Sequence, residues 1–150
     1  MTHRLWWRLG MGVCAVLVFG FVVWQGVREE PAPEVTRGTT VAIVSPPTRV
    51  STGALVAWTW DARAPVGASA TRSGIVWGAT PHPEAIAPTT TPEESGYPKM
   101  LTEESGGPIA LPRRWTSAGT FPLPGTYYLR AFASIDTATY WSPEYTVIVE

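Results

Sequence analysis

The chain has 150 residues, 45% of them hydrophobic and only 15% charged, with a formal net charge of -1. That length holds one domain and a short appendage rather than two large domains, and the near-neutral charge excludes the broad positive field that draws nucleic-acid phosphates. A single Cys excludes an internal disulfide and any zinc site built from several thiolates, while 15 Pro and 14 Gly disfavour a helical bundle.

From Leu9 to Trp24 there is no charge and no polar side chain except the Cys14 thiol. Continued through Gln25 and Gly26 to Val27, the segment 9–27 predicts a helix of about 28 Å, close to the roughly 30 Å hydrocarbon core of a bilayer. Trp6 and Trp7 at one end and Trp24 at the other suit the headgroup region. Arg4 and Arg8 precede the run, whereas Arg28 is followed at once by Glu29 and Glu30. The positive-inside bias therefore predicts a cytoplasmic N-terminus, residues 1–8, and a single-pass protein of the cytoplasmic membrane whose remaining chain lies outside. The alternative is a cleaved secretory signal. This run exceeds the usual 7–15 apolar residues and ends in bulky Val22, Val23 and Trp24 rather than a small-residue cut site, which favours a retained signal anchor. Cys14 follows Met11-Gly12-Val13, a poor lipidation context, and reads as a small apolar residue. Residues 28–38 hold two prolines and three glutamates with no hydrophobic period, and read as a stiff stalk.

Beyond the stalk, prolines recur too often for helices, and short β-branched or aromatic runs take over. Thr39–Ser45, Gly53–Trp60, Ser73–Ala79, Gly125–Ala133 and Glu144–Val149 predict strands, with a weaker candidate at Arg113–Phe121. Strands of this length with turn signals between them predict an all-β antiparallel sandwich over 39–150, a small barrel being the alternative. Strand alternation places Tyr127, Leu129, Ala131 and Ala133 on one face and Tyr128, Arg130 and Phe132 on the other. Since Arg resists full burial, the Tyr127 face is the expected core. Trp58, Trp60 and Trp77 are expected between the sheets, but Trp58 and Trp60 share a strand face, and so large a load predicts that one is partly exposed.

At the C-terminal end, Gly125–Ala133 followed by Thr139–Val149 resembles the last two strands of a fibronectin type III domain. Pro124-Gly125-Thr126-Tyr127-Tyr128 is similar to that family's tyrosine corner, and Ser73–Pro83 to the third strand of its bacterial members. The resemblance covers Thr39–Glu150 and departs from the family in a corner one residue short and a long stretch before the penultimate strand. It implies an Ig-like sandwich, a Tyr127 hydroxyl bonded to nearby backbone, and a docking or spacer role rather than catalysis.

The stretch 80–112 predicts a long acidic loop, in which Glu-Glu-Ser-Gly occurs at Glu93–Gly96 and again at Glu103–Gly106. It lacks the Asp-x-Asp spacing with a closing Glu that a calcium loop needs. Tyr97 and Met100 are its candidate partner contacts. Further candidates are Trp115, beside Arg113 and Arg114, and Tyr128 and Phe132, which with Tyr140 would line an outer sheet face.

Little else carries chemistry. His3 falls on the expected cytoplasmic side, which leaves His82, between Pro81 and Pro83, without a second imidazole or a thiol on its own side of the membrane, and it reads as a surface-turn histidine. The adjacent pairs Glu93-Glu94 and Glu103-Glu104 are not the opposed carboxylates of a glycosidase, and there is no nucleophile elbow, P-loop or dinucleotide fingerprint. No catalytic residue, cofactor-binding residue or metal ligand is assigned, and no cofactor is expected. The expectation is a membrane-anchored, non-catalytic binding or scaffold protein, an accessory subunit of a membrane or cell-envelope complex. Its partners are the bilayer through residues 9–27 and one or more proteins, not nucleic acid. The alternative is a freestanding surface module that binds a glycan or another cell-surface ligand.

Overall fold

The computed structural model describes residues 38–150, so the expected cytoplasmic segment, the membrane helix 9–27 and the stalk up to residue 37 lie outside the described residues. Among the described residues, no helix is long and apolar enough to cross a membrane. They form nine strands: β1 (Thr40–Val44), β2 (Arg49–Val50), β3 (Val56–Arg63), β4 (Ser69–Gly78), β5 (Lys99–Ala110), β6 (Arg113–Gly119), β7 (Gly125–Ile135), β8 (Ala138–Trp141) and β9 (Tyr145–Val149). One sheet has the order β1-β3-β6; the other runs β2-β9-β7-β4-β5, with β8 also paired to β7. All pairings are antiparallel except β2 with β9. The all-β sandwich expected from the strand pattern is therefore the architecture of this domain.

Alternation in β3 explains the core. Trp58, Trp60 and Ala62 point inward, and both tryptophans are buried, against the expectation that one would be partly exposed. The load is accommodated because each indole meets a different ring: Trp58 stands edge-on to Phe121, centroids 5.9 Å apart, and Trp60 stacks on Trp115 at 5.8 Å. Small residues opposite, Ala70, Ala131 and Ala133, leave the volume they need. Trp60 also donates its indole N–H to Ser73 Oγ at 2.9 Å, and Ser73 donates to the Phe132 carbonyl at 2.8 Å, so the one buried hydroxyl of β4 is satisfied twice. Tyr127 lies on the core face of β7 as expected, and its hydroxyl donates to the Leu123 carbonyl at 3.0 Å, which fixes the turn leading into that strand.

The largest departure concerns 80–112. Only its first part is loop; Lys99–Ala110 is a twelve-residue edge strand on β4. Its sequence conceals this because an edge strand needs little apolar surface, and charged residues with Gly106, Gly107 and Pro108 blunt the free edge against further pairing. Arg72 on β4 holds the strand through Glu103 and the preceding single 3-10 turn, Pro92–Glu94, through Glu93, both at 2.7 Å. The two Glu-Glu-Ser-Gly segments thus take different conformations, one in the turn and one in β5.

Close approach explains Gly74. A Cβ there would stand 2.3 Å from the backbone oxygen of Thr102 and 3.0 Å from the Phe132 ring. Gly74→Ala is expected to cost about 1–3 kcal/mol, as overpacking does. Urea unfolding checks it, and an unchanged midpoint would show that β5 can move aside.

Candidate binding cleft

Residues 80–98 cross the outer face of β7 and bury it, against the expectation of an open outer face. The expected outer row of Tyr128, Phe132 and Tyr140 is not an exposed aromatic line. Phe132 is fully buried with Val76 and Tyr97, while Ile86, Tyr128 and Trp141 pack around them half-buried. Tyr140 instead packs against the main core. Burying an apolar side chain such as Phe132 contributes roughly 1.5–3 kcal/mol. Of the other expected partner contacts, Tyr97 and Trp115 are also buried, Trp115 in the main core, and Met100 is exposed on β5. Buried rings hold the fold and cannot meet a partner without unfolding their surroundings, so Tyr97, Trp115 and Phe132 are not surface contacts.

Arg130, only 5% exposed, fastens the cover. Its Nε–H donates to the Tyr97 hydroxyl at 3.1 Å, Nη1 to the Ser142 carbonyl at 3.1 Å, and Nη2 to the carbonyls of His82 at 2.7 Å and Glu84 at 2.8 Å. The planar fork of Arg meets several fixed acceptors at once, which Lys would not. The Tyr97 hydroxyl in turn donates to Glu144 Oε2, which also accepts the His82 backbone N–H at 2.6 Å. A buried cation and a half-buried carboxylate are thereby joined through one phenol, so neither charge lies uncompensated. Glu144 reaches this place because the last strand is interrupted: β8 and β9 both pair with β7, and between them Ser142 turns its Oγ to the Ala131 N–H at 2.9 Å. Gly96, at φ +86°, passes the cover close to the His82 ring, where a Cβ would come within 3.1 Å.

Between the cover and the β8–β9 corner lies an open cleft of about 470 Å³. The cover contributes Pro83, Ala85, Ile86 and Pro88 to its lining, the β8–β9 corner contributes Tyr140, Trp141 and Glu144, and β7 contributes Arg130. Thr139 donates its N–H to the Pro88 carbonyl at 2.7 Å, tying cover to strand. Of this constellation the sequence singles out only Tyr97, Tyr140 and His82, and His82, expected as a surface-turn histidine, is half-buried outside any turn, bonding through its backbone with its ring edge-on to Tyr97 at 5.2 Å.

Burial, and next the bond to Glu144, push the Tyr97 phenol up to about 12, against the pull of Arg130. A phenol so held stays neutral and bridges; it is a poor proton donor at neutral pH. The folded state favours the protonated form, so this contribution is complete below the unfolded value of about 10 and is lost as pH rises from there through 12. Tyr97→Phe is expected to cost about 1–3 kcal/mol at pH 7 and to flatten the alkaline fall in stability. An unaltered alkaline limb in the variant would remove Tyr97 as its source. Among the described residues, no three His, Cys, Asp or Glu side chains gather into a group that could hold a metal ion.

No family model matches the chain, and no curated protein matches it. Among solved structures it is similar to the fibronectin(III)-like modules of Clostridium thermocellum CbhA, at 18% identity over 73% of this chain and 94% of that one, with a TM-score of 0.44. It is also similar to an AA10 lytic polysaccharide monooxygenase from Streptomyces lividans, at 15% identity over 69% and 59% of the two chains, with a TM-score of 0.44.

Proposed function

We propose that this chain is a membrane-anchored, non-catalytic binding or scaffold protein, an accessory subunit of a membrane or cell-envelope complex, whose fibronectin type III-like sandwich is the docking module. The observation that carries the reading is the braced cleft: four hydrogen bonds from Arg130 hold a loop in place and keep a concave surface open beside it. A preformed concavity with convergent polar groups suits recognition, because little conformational freedom is lost on binding. The chemistry beside it agrees, since the Tyr97 phenol bonded to Arg130 is held neutral and Arg130 itself donates to three backbone carbonyls and that hydroxyl. The apolar run at residues 9–27, flanked by Trp and Arg, supports an N-in, single-pass anchor that presents this domain outside the cytoplasmic membrane.

The test is to extract the protein from its own membranes in mild detergent and measure the mass of the intact particle. A particle of fixed stoichiometry with other proteins is expected. A lone 16.3 kDa chain in its micelle would overturn the subunit reading and favour a freestanding module for glycans or other surface ligands.

A further inference from the structure

What the cleft offers a ligand depends on which of its polar groups are already engaged. Arg130, its only cationic lining residue, directs Nε, Nη1 and Nη2 to protein acceptors. It therefore has little left for an anion. Glu144 differs: Oε2 takes the Tyr97 hydroxyl and the His82 N–H, while among the described residues its other oxygen receives no hydrogen bond. The side chain is half-buried, so this oxygen keeps its acceptor capacity in a partly desolvated place, where a charge-assisted bond is strengthened. Half-buried Trp141 lines the cleft on the same corner as Glu144, and Pro83, Ala85 and Ile86 of the cover add apolar surface to it.

A carboxylate, an indole and apolar neighbours together suit a long cationic side chain, and a planar guanidinium better than a compact ammonium. A guanidinium bonds carboxylates, its plane lies well on indole, and its methylene stem is covered by prolines and isoleucine. We infer that the cleft receives an arginine side chain presented by a partner protein. The inference rests on the binding-module reading and names the chemistry of its partner.

The probe is a blocked Gly-Arg-Gly tripeptide, titrated against the full-length chain in detergent micelles while the Trp141 indole N–H resonance is followed, with the citrulline tripeptide as its neutral isostere. The arginine peptide is expected to shift that resonance saturably, and the citrulline peptide to bind roughly tenfold or more weakly. Glu144→Gln should weaken arginine binding by a similar factor. Because Glu144 also braces the cover, a second variant protects the test: Ala85→Arg alters an exposed lining residue, places a like charge at the cleft and should abolish the shift. Equal binding of the two peptides, no shift with the arginine peptide, or a shift produced only by a neutral oligosaccharide would overturn the inference. Arginine binding by a chain that is alone in its native membrane would leave the inference standing and remove the subunit reading; a native complex without arginine binding would do the reverse.

Discussion

Arg130→Met is expected to lower the unfolding free energy by about 3–5 kcal/mol and to open residues 80–98 to cleavage by a glutamate-specific protease at Glu84. The guanidinium holds the carbonyls of His82, Glu84 and Ser142 and the Tyr97 hydroxyl, and Met offers none of them a donor. The change also leaves Glu144 without the cation that balances it through Tyr97. Arg130→Lys should recover only part of the loss, since an ammonium cannot meet four acceptors fixed around a planar fork. If the damage arises from the unbalanced carboxylate, adding Glu144→Gln to Arg130→Met should cost less than the two single changes together, and the mutant cycle gives the coupling directly. Denaturant titration and timed proteolysis are the readouts. An Arg130→Met protein with an unchanged midpoint and an uncut loop would mean that apolar contact with Phe132 and Val76 alone holds the cover.

The second large effect lies between the sheets. Trp60→Ala removes a fully packed indole and is expected to cost about 3–5 kcal/mol, or to prevent folding in so small a core. A milder pair of changes separates shape from hydrogen bonding. Trp60→Phe keeps a ring against Trp115 but deprives Ser73 of the donor that fills its acceptor site, whereas the Trp58 indole N–H has no partner among the described residues. Trp60→Phe should therefore be the more destabilising of the two Phe substitutions, by about 1 kcal/mol. Equal losses in thermal unfolding would show that volume alone decides at both positions.

The core was legible because alternation is a local signal. Tyr127, Leu129, Ala131 and Ala133 fall on one face of β7 by simple counting, and the tyrosine corner is spelled out by Pro124-Gly125-Thr126-Tyr127. The cleft was not legible, since it is assembled from segments far apart in the chain. Arg130 suggested a solvent-facing side of β7; nothing local indicates that carbonyls more than forty residues upstream will wrap it. Counting along β7 puts Phe132 on the face away from Tyr127, where it lies, but a strand states which side a residue takes and not what later covers that side. For β5 the obstacle was composition: acidic residues with Gly and Pro resemble a loop, and only its ladder to β4 makes it a strand.

The Arg130 contacts also tie together distant stretches of the chain. Its Nη2 joins residues 46 and 48 positions away, and Tyr97 reaches Glu144 across 47. Such closures are entropically costly until neighbouring strands have paired. β7 carries both the core pairings and Arg130, so the cleft is complete only where β7 has paired with β4, β8 and β9. A ligand that enters it selects fully folded molecules, and by mass action raises the melting temperature as its concentration rises.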